Sequence, residues 1–168
     1  MKHKYKLIFP IVILFIVAIA VTVWPNQVAL TVTDGKTGRL IYVSPIEIEE
    51  RFAIQFIHSI HKTPVYEEYY IDSELHMVLD QVTYESLGVG NPSAAEPGQT
   101  FMIEDGKYKI SNINRKLPHL DLAIAPGVAN HQLGIRDNWI PMTRLNPPGN
   151  WARLETKKVS FLTLWKGA

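Results

Sequence analysis

The sequence predicts an all-β domain, a compact antiparallel β-sandwich or barrel of about nine or ten short strands, preceded by one N-terminal transmembrane helix. Three observations predict it. Apolar residues recur at every second position in short runs separated by Asp-Gly, Pro-Gly and Pro-Pro-Gly turns. Beyond residue 25 no helix-period run of convincing length occurs, and the one long apolar run lies at the N-terminus.

That run, Leu7 to Trp24, carries no charge and is interrupted only by Pro10 and Thr22. It is just long enough to cross a hydrocarbon core about 30 Å thick. Lys2, Lys4 and Lys6 precede it and the first charge after it is Asp34, so the positive-inside rule keeps the N-terminus cytoplasmic. Residues 1–25 are therefore read as a membrane anchor and 26–168 as an extracytoplasmic β-domain. The alternative is a cleaved signal peptide, since Ala18-Ile19-Ala20 fits a small-x-small site. Apolar character continuing to Trp24, an interfacial residue type, favours the anchor.

With no cysteine, lipoprotein anchoring, disulfides and thiol chemistry are excluded. The 17 basic and 16 acidic side chains nearly balance, and the three N-terminal lysines account for the excess. No basic stripe remains for nucleic acid.

The strands follow in order. Val28 to Thr33 returns through Asp34-Gly35-Lys36-Thr37-Gly38 into Leu40 to Val43, and Ile46 to Glu50 is a charged connector. Leu75 to Glu85 reads as a long strand with Leu75, Met77 and Leu79 on one side and Val78, Val82 and Tyr84 on the other. A Gly- and Pro-rich loop runs from Ser86 to Gln99. Phe101 to Ile110 folds back at Asp105-Gly106, a strong tight-hairpin signal. Leu120 to Ala125, Gln132 to Ile135, Trp139 to Met142 and Arg153 to Leu164 complete the set, with turns at Pro126-Gly127 and Pro147-Pro148-Gly149.

Between the connector and the long strand lies the most informative segment, Phe52 to Tyr70. Phe52, Ile54, Phe56, His58 and Ile60 alternate on one face, as do Val65, Glu67, Tyr69 and Ile71 after a Pro-containing turn. With His61 to Pro64 as the loop, Ile60 faces Val65, His58 faces Glu67, Phe56 faces Tyr69 and Ile54 faces Ile71. A carboxylate on an apolar face needs a partner, and an imidazole across the ladder supplies one. The plainer reading of His58 and Glu67 is a polar pair that fixes register; a binding role is the sharper one.

Ser59 adjoins His58, but neighbouring residues on a strand point to opposite faces, so a catalytic dyad is geometrically poor. There is no G-x-S-x-G elbow either. His58, His61 and Glu67, with His76, offer donors suited to zinc, in a spacing that matches no established motif. His119 and His131 stand isolated. Lys62 sits at the hairpin tip with Thr63 and Pro64, while Tyr66, Glu68 and Tyr70 share the other face of the second strand. Gly88-Val89-Gly90 follows a strand, yet no helix opens after it to receive a phosphate, and a bend allowing close backbone approach is the simpler reading.

Taken together, Phe56-Ile57-His58-Ser59, Thr63-Pro64-Val65 followed by Glu67, Tyr84-Glu85-Ser86-Leu87-Gly88-Val89-Gly90 with Pro92, and Asn130-His131 with Leu133 carry a family resemblance. In their order and spacing the chain resembles a bacterial family numbered eighteen-fifty among domains of unknown function, over roughly residues 28 to 165. Asn91 stands where that family is expected to have an apolar residue, and Ser93 to Gly98 looks locally variable. The resemblance implies a small exported or tethered β-rich protein, of a kind often encoded beside the fused permease and solute receptor of TAXI-type TRAP transporters.

The expected function is thus a non-catalytic accessory or assembly protein of such a transporter, without cofactor, its partners the permease or solute receptor and the lipid bilayer. The alternative is an extracytoplasmic module for a small ligand or metal, using His58, Lys62 and the loop from Gly88 to Gly90. A hydrolase using Ser59 and His58 ranks last.

Overall fold

A computed structural model of the chain describes residues 4–88, 90–125, 127 and 129–167, and the side chains of the first helix from residue 9 onward. The N-terminal apolar run is helical, α1 (Lys4–Val23). Among the described residues no helix is long and apolar enough to cross a membrane. On α1, Phe9, Leu14 and Phe15 are exposed.

Antiparallel strands make up most of the rest: β1 (Pro25–Asp34), β2 (Leu40–Pro45), β3 (Arg51–Ile57), β4 (Pro64–Ile71), β5 (Met77–Tyr84), β6 (Thr100–Glu104), β7 (Lys107–Ser111), β8 (Arg115–Leu117), β9 (Leu120–Ile124), β10 (Gln132–Ile135), β11 (Asn138–Pro141), the short helix α2 (Met142–Leu145), β12 (Asn150–Ser160) and the helix α3 (Phe161–Lys166). They form a four-stranded sheet, β2-β1-β12-β9, and an eight-stranded one, β11-β10-β3-β4-β5-β7-β6, with β8 paired to the end of β5. One hydrophobic cluster joins the two sheets. Leu30, Val32, Ile124 and Leu154 come from the smaller sheet, and Phe52, Ile54, Tyr69, Met77 and Leu133 from the larger. Each such side chain contributes about 1.5–3 kcal/mol by leaving water.

Local chemistry explains several of the turns. The Asp34 carboxylate accepts from the N–H groups of Lys36 at 2.9 Å and Thr37 at 2.8 Å, closing the loop between β1 and β2. These donors hold its pKa below the ordinary value, the Thr37 N–H most strongly. The hairpin of β6 and β7 turns on two residues, Asp105 and Gly106, with Glu104 opposite Lys107. Both have positive φ, 49° and 74°, which matches the right-handed twist of the strands. Of the turn expected at Pro126-Gly127, Pro126 lies outside the described residues.

Three departures from the sequence reading matter. First, the register of β3 and β4 differs. Glu67 lies opposite Ile54, Tyr69 opposite Phe52 and Val65 opposite Phe56, so Glu67's partner is four residues from the expected His58. β3 stops at Ile57, whose N–H donates to Ala129 O at 2.8 Å, and His58 to Thr63 forms a loop closed by His58 N–H on Thr63 O at 2.9 Å. An even slip leaves every side chain on its face, so alternation alone is blind to it.

Second, β5 bulges. Glu68 pairs with Gln81 and Tyr69 with Leu79, which leaves Asp80 as an extra residue. Val82 and Tyr84 thereby join the inner face with Met77 and Leu79 instead of the opposite one.

Third, the last expected strand ends early. The Ser160 hydroxyl accepts from Thr163 N–H at 3.1 Å and caps α3, so residues 161–166 are helical. The strand β8, three residues long and without alternation, and the four-residue α2 carry no sequence signal of the kind used above.

Candidate functional site

Glu67 reaches the inner face because β4 alternates Val65, Glu67, Tyr69 and Ile71 inward. Its ladder neighbours there are apolar, Ile54 on one side and Val82 on the other. One oxygen is engaged: Oε2 accepts from the Tyr69 hydroxyl at 2.7 Å. Tyr69 is fully buried and stacks on Phe52, with ring centroids 5.0 Å apart and planes 11° from parallel. Burial, then the negative charge of Glu67 and its hydrogen bond, push the Tyr69 pKa far above that of a free phenol, while Arg115 pulls weakly the other way. No other hydrogen bond or ion pair to Glu67 is found among the described residues.

Beside Glu67 the inner face is uncovered by the smaller sheet, and the segment from Gly90 to Gln99 lies over it. The partly open cavity, about 610 Å³, has an apolar floor of Phe56, Val65, Leu79, Val82, Ile110 and Ile113. Its polar lining is His58, Glu67, Asn91, Glu96, Gln99 and Arg115. The covering segment is clipped at several points. The Tyr84 hydroxyl donates to Pro92 O, Asn91 Nδ2 donates to Ser86 O at 2.8 Å, and Gly88 and Asn91 form an isolated bridge. Gly88 and Gly90 have φ of 87° and 93°, which side-chain-bearing residues rarely adopt. Val89, between them, lies outside the described residues.

His58 enters from the loop after β3. Its Nδ1 accepts from the N–H groups of Ile60 and His61, both at 3.3 Å, which assigns the ring proton to Nε2. A Cβ on Gly90 would stand 3.8 Å from that Nε2, so the free side of the imidazole faces the covering segment. His61 packs against His58 with ring centroids 4.8 Å apart, and its Nε2 lies 3.0 Å from Gly88 O. The two loops are thus joined through a pair of histidines.

The residues singled out from the sequence divide accordingly. His58, Glu67 and Gly90 line one cavity, though His58 and Glu67 do not meet across a ladder. Gly88 takes part through its carbonyl. Ser59 and Lys62 are exposed in the loop and do not line the cavity. Arg115 was not foreseen. It sits in a polar stretch, and only the pairing of β8 with β5, Arg115 opposite Leu79, brings it to the site.

The metal expectation also moves. Among the described residues the group able to converge on an ion is Asp72, Glu74 and His76, not His58, His61 and Glu67. Nδ1 of His58 and Nε2 of His61 are already committed to backbone groups. At the other cluster Lys116 Nζ stands 2.8 Å from Asp72 Oδ2 and 3.2 Å from Glu74 Oε2, so an ammonium holds the position a cation would take. Burial would raise the Asp72 pKa, but Lys116 and the N–H groups of His76 and Glu74 bring it down to about 2.

A second depression, about 580 Å³, lies on the outer face of the larger sheet between Arg51, Tyr66, Glu68, Arg136 and Trp139. Both of its cations are paired, Arg51 with Asp80 at 2.8 Å and Arg136 with Glu50 at 3.0 Å, and Glu68 accepts from Gln81 Nε2 at 2.7 Å; Asp137 also lines it. In the inner cavity both the acid Glu67 and the base Arg115 stand without ion pairs among the described residues, whereas both cations of the outer depression are paired, which makes the inner cavity the better candidate site.

Comparison with known proteins gives one match, a family described as a domain of unknown function (DUF1850), over residues 52–142. The matched segment contains every residue named as lining the inner cavity. No curated protein and no solved structure matches the chain.

Proposed function

As the chain belongs to the DUF1850 family, whose description assigns no activity, we propose from the site itself that it is a non-catalytic, membrane-tethered module that binds a small solute outside the cytoplasm as an accessory of a TRAP-type transporter. The inner cavity carries this reading. It is of ligand size, mostly apolar, and has a few polar groups converging on it, the usual make-up of a small-molecule site. No serine, threonine, cysteine or lysine is among its lining residues, and Ser59 lies outside it.

The tether is supported by the uncharged run from Leu7 to Trp24 and by exposed apolar side chains on two touching helices. Trp24, Phe161 and Trp165 are the residue types that settle at a membrane interface, and all three are exposed. The partner, a permease or solute receptor of the TAXI type, is supported by the family resemblance drawn from the motifs around His58, Glu67 and Gly88.

Purification from native membranes after mild crosslinking tests partner and location together. The expected result is recovery in the membrane fraction with a transporter subunit. Recovery without any subunit, under conditions that preserve the permease complex, overturns the partnership, and a soluble protein that retains residues 1–25 overturns the tether. Mass spectrometry of small molecules released on denaturation tests the cavity; its consistent emptiness, with the transporter active, overturns solute binding.

A further inference from the structure

The lining of the inner cavity specifies more than size. Glu67 is half-buried on an apolar face with Oε2 taken by Tyr69, and no cation of the protein pairs with it among the described residues. A carboxylate so placed is incompletely compensated and favours a positively charged partner. Arg115, at the start of β8, lines the same cavity and acts on Tyr69 through its charge, yet it forms no ion pair with Glu67 within 4.0 Å. The His58 Nε2 proton adds a donor with its back fixed by two backbone N–H groups. An acid and a base are therefore held apart over a floor of Phe56, Val82, Ile110 and Ile113.

Resting on the solute-binding reading above, we propose that the ligand is a small zwitterion with an apolar side chain, of the α-amino acid class, its ammonium at Glu67, its carboxylate at Arg115 and His58, and its side chain on the apolar floor. The charge pattern discriminates by what each wrong ligand leaves unmatched. A simple carboxylate satisfies Arg115 but is repelled by Glu67 with no ammonium to offset it, while Glu96, also on the lining, repels the carboxylate of either ligand. A simple amine satisfies Glu67 and leaves the guanidinium unanswered. A dicarboxylate doubles the repulsion and cannot use the floor. The cavity, about 610 Å³, is within the range of small-ligand sites and leaves room for a branched or aromatic side chain.

The test uses the full chain in detergent and titrates L-phenylalanine, L-leucine, phenethylamine, 3-phenylpropionate and succinate, reading affinity by calorimetry and melting temperature. The expected result is that at least one amino acid binds about tenfold or more tightly than either single-charge analogue and raises the melting temperature by mass action. Arg115→Gln, an exposed change that spares the core, should weaken the amino acid about tenfold and leave phenethylamine binding as tightly or more tightly. Glu67→Gln should weaken the amino acid and relieve the penalty against 3-phenylpropionate. An analogue with one charge, or succinate, binding as tightly as the amino acids overturns the zwitterion assignment while solute binding stands. No binding of any of the five, with a solute still released from the native protein, likewise overturns only the assignment. No binding and no released solute overturn both.

Discussion

The Tyr69 hydroxyl donates to Glu67 Oε2 at 2.7 Å, so two residues on the same face of β4 satisfy one another where the apolar core meets the cavity. The core side of the carboxylate is thereby closed and the cavity side left open. A hydrogen bond to a charged acceptor is worth about 1.5–3 kcal/mol. Tyr69→Phe keeps the stacking on Phe52 and should destabilise by roughly that amount. Denaturant melts of Tyr69→Phe, Glu67→Gln and the double variant should show coupling of about 0.5 kcal/mol or more. His58→Ala combined with Glu67→Gln should instead be additive, since the two are not ladder partners; strong coupling there would restore the register expected from sequence.

Tyr69 also sets an alkaline limb. Its folded-state pKa is raised, by burial first and Glu67 second, above the value of about 10 in the unfolded chain. The unfolded state therefore loses this proton first, and the contribution is complete below pH ~10 and lost as pH rises beyond it. Stability followed between pH ~9 and ~11 should fall in the wild type and fall less in Tyr69→Phe. Parallel curves would show that Tyr69 ionises as freely folded as unfolded.

On the acid side Asp72 has the opposite sign. Its folded pKa of about 2 lies below the unfolded value near 4, so its contribution is present above pH ~4 and lost as pH falls towards 2. Asp72→Asn should flatten the stability profile across that window. Lys116→Met, which removes the ammonium 2.8 Å from Asp72 Oδ2, should shift the acid limb upward in pH. An unchanged limb in both variants would remove Asp72 from the account.

Gly134 makes a prediction about close approach. A Cβ there would come within 2.8 Å of the Trp139 ring, which lies across it on the neighbouring strand. Gly134→Ala should cost about 1 kcal/mol in the wild-type background and less in Trp139→Ala, where the obstruction is gone. Equal melting-temperature losses in the two backgrounds would place the cost in the backbone.

Much of the large sheet was legible because its signals are local. The turn at Asp105-Gly106 follows from the two positive φ angles a two-residue hairpin requires, and the inward face of Glu67 from simple alternation with Val65 and Tyr69. Of the candidate site, His58, Glu67 and Gly90 were visible as polar or glycine interruptions of apolar runs. Arg115 carried no such mark, because its position depends on a strand of three residues that forms only against β5. Ser59 and Lys62 were drawn in by proximity along the chain, and the end of β3 at Ile57 moved them to an exposed loop.

The sequence by itself determined that the chain is mostly β beyond its apolar start, which side chains of β3 and β4 face inward, and that an acid stands among them. Tertiary structure decided what that acid meets. Alternation has a period of two and is unchanged by an even slip, so it could not choose between His58 and Ile54 as the partner of Glu67. The choice came from non-local bonds: the Ile57 N–H on Ala129, the Phe52 ring on Tyr69, and the bulge at Asp80 that turns Val82 inward. Those contacts separate Glu67 from the histidine and leave a cavity between them.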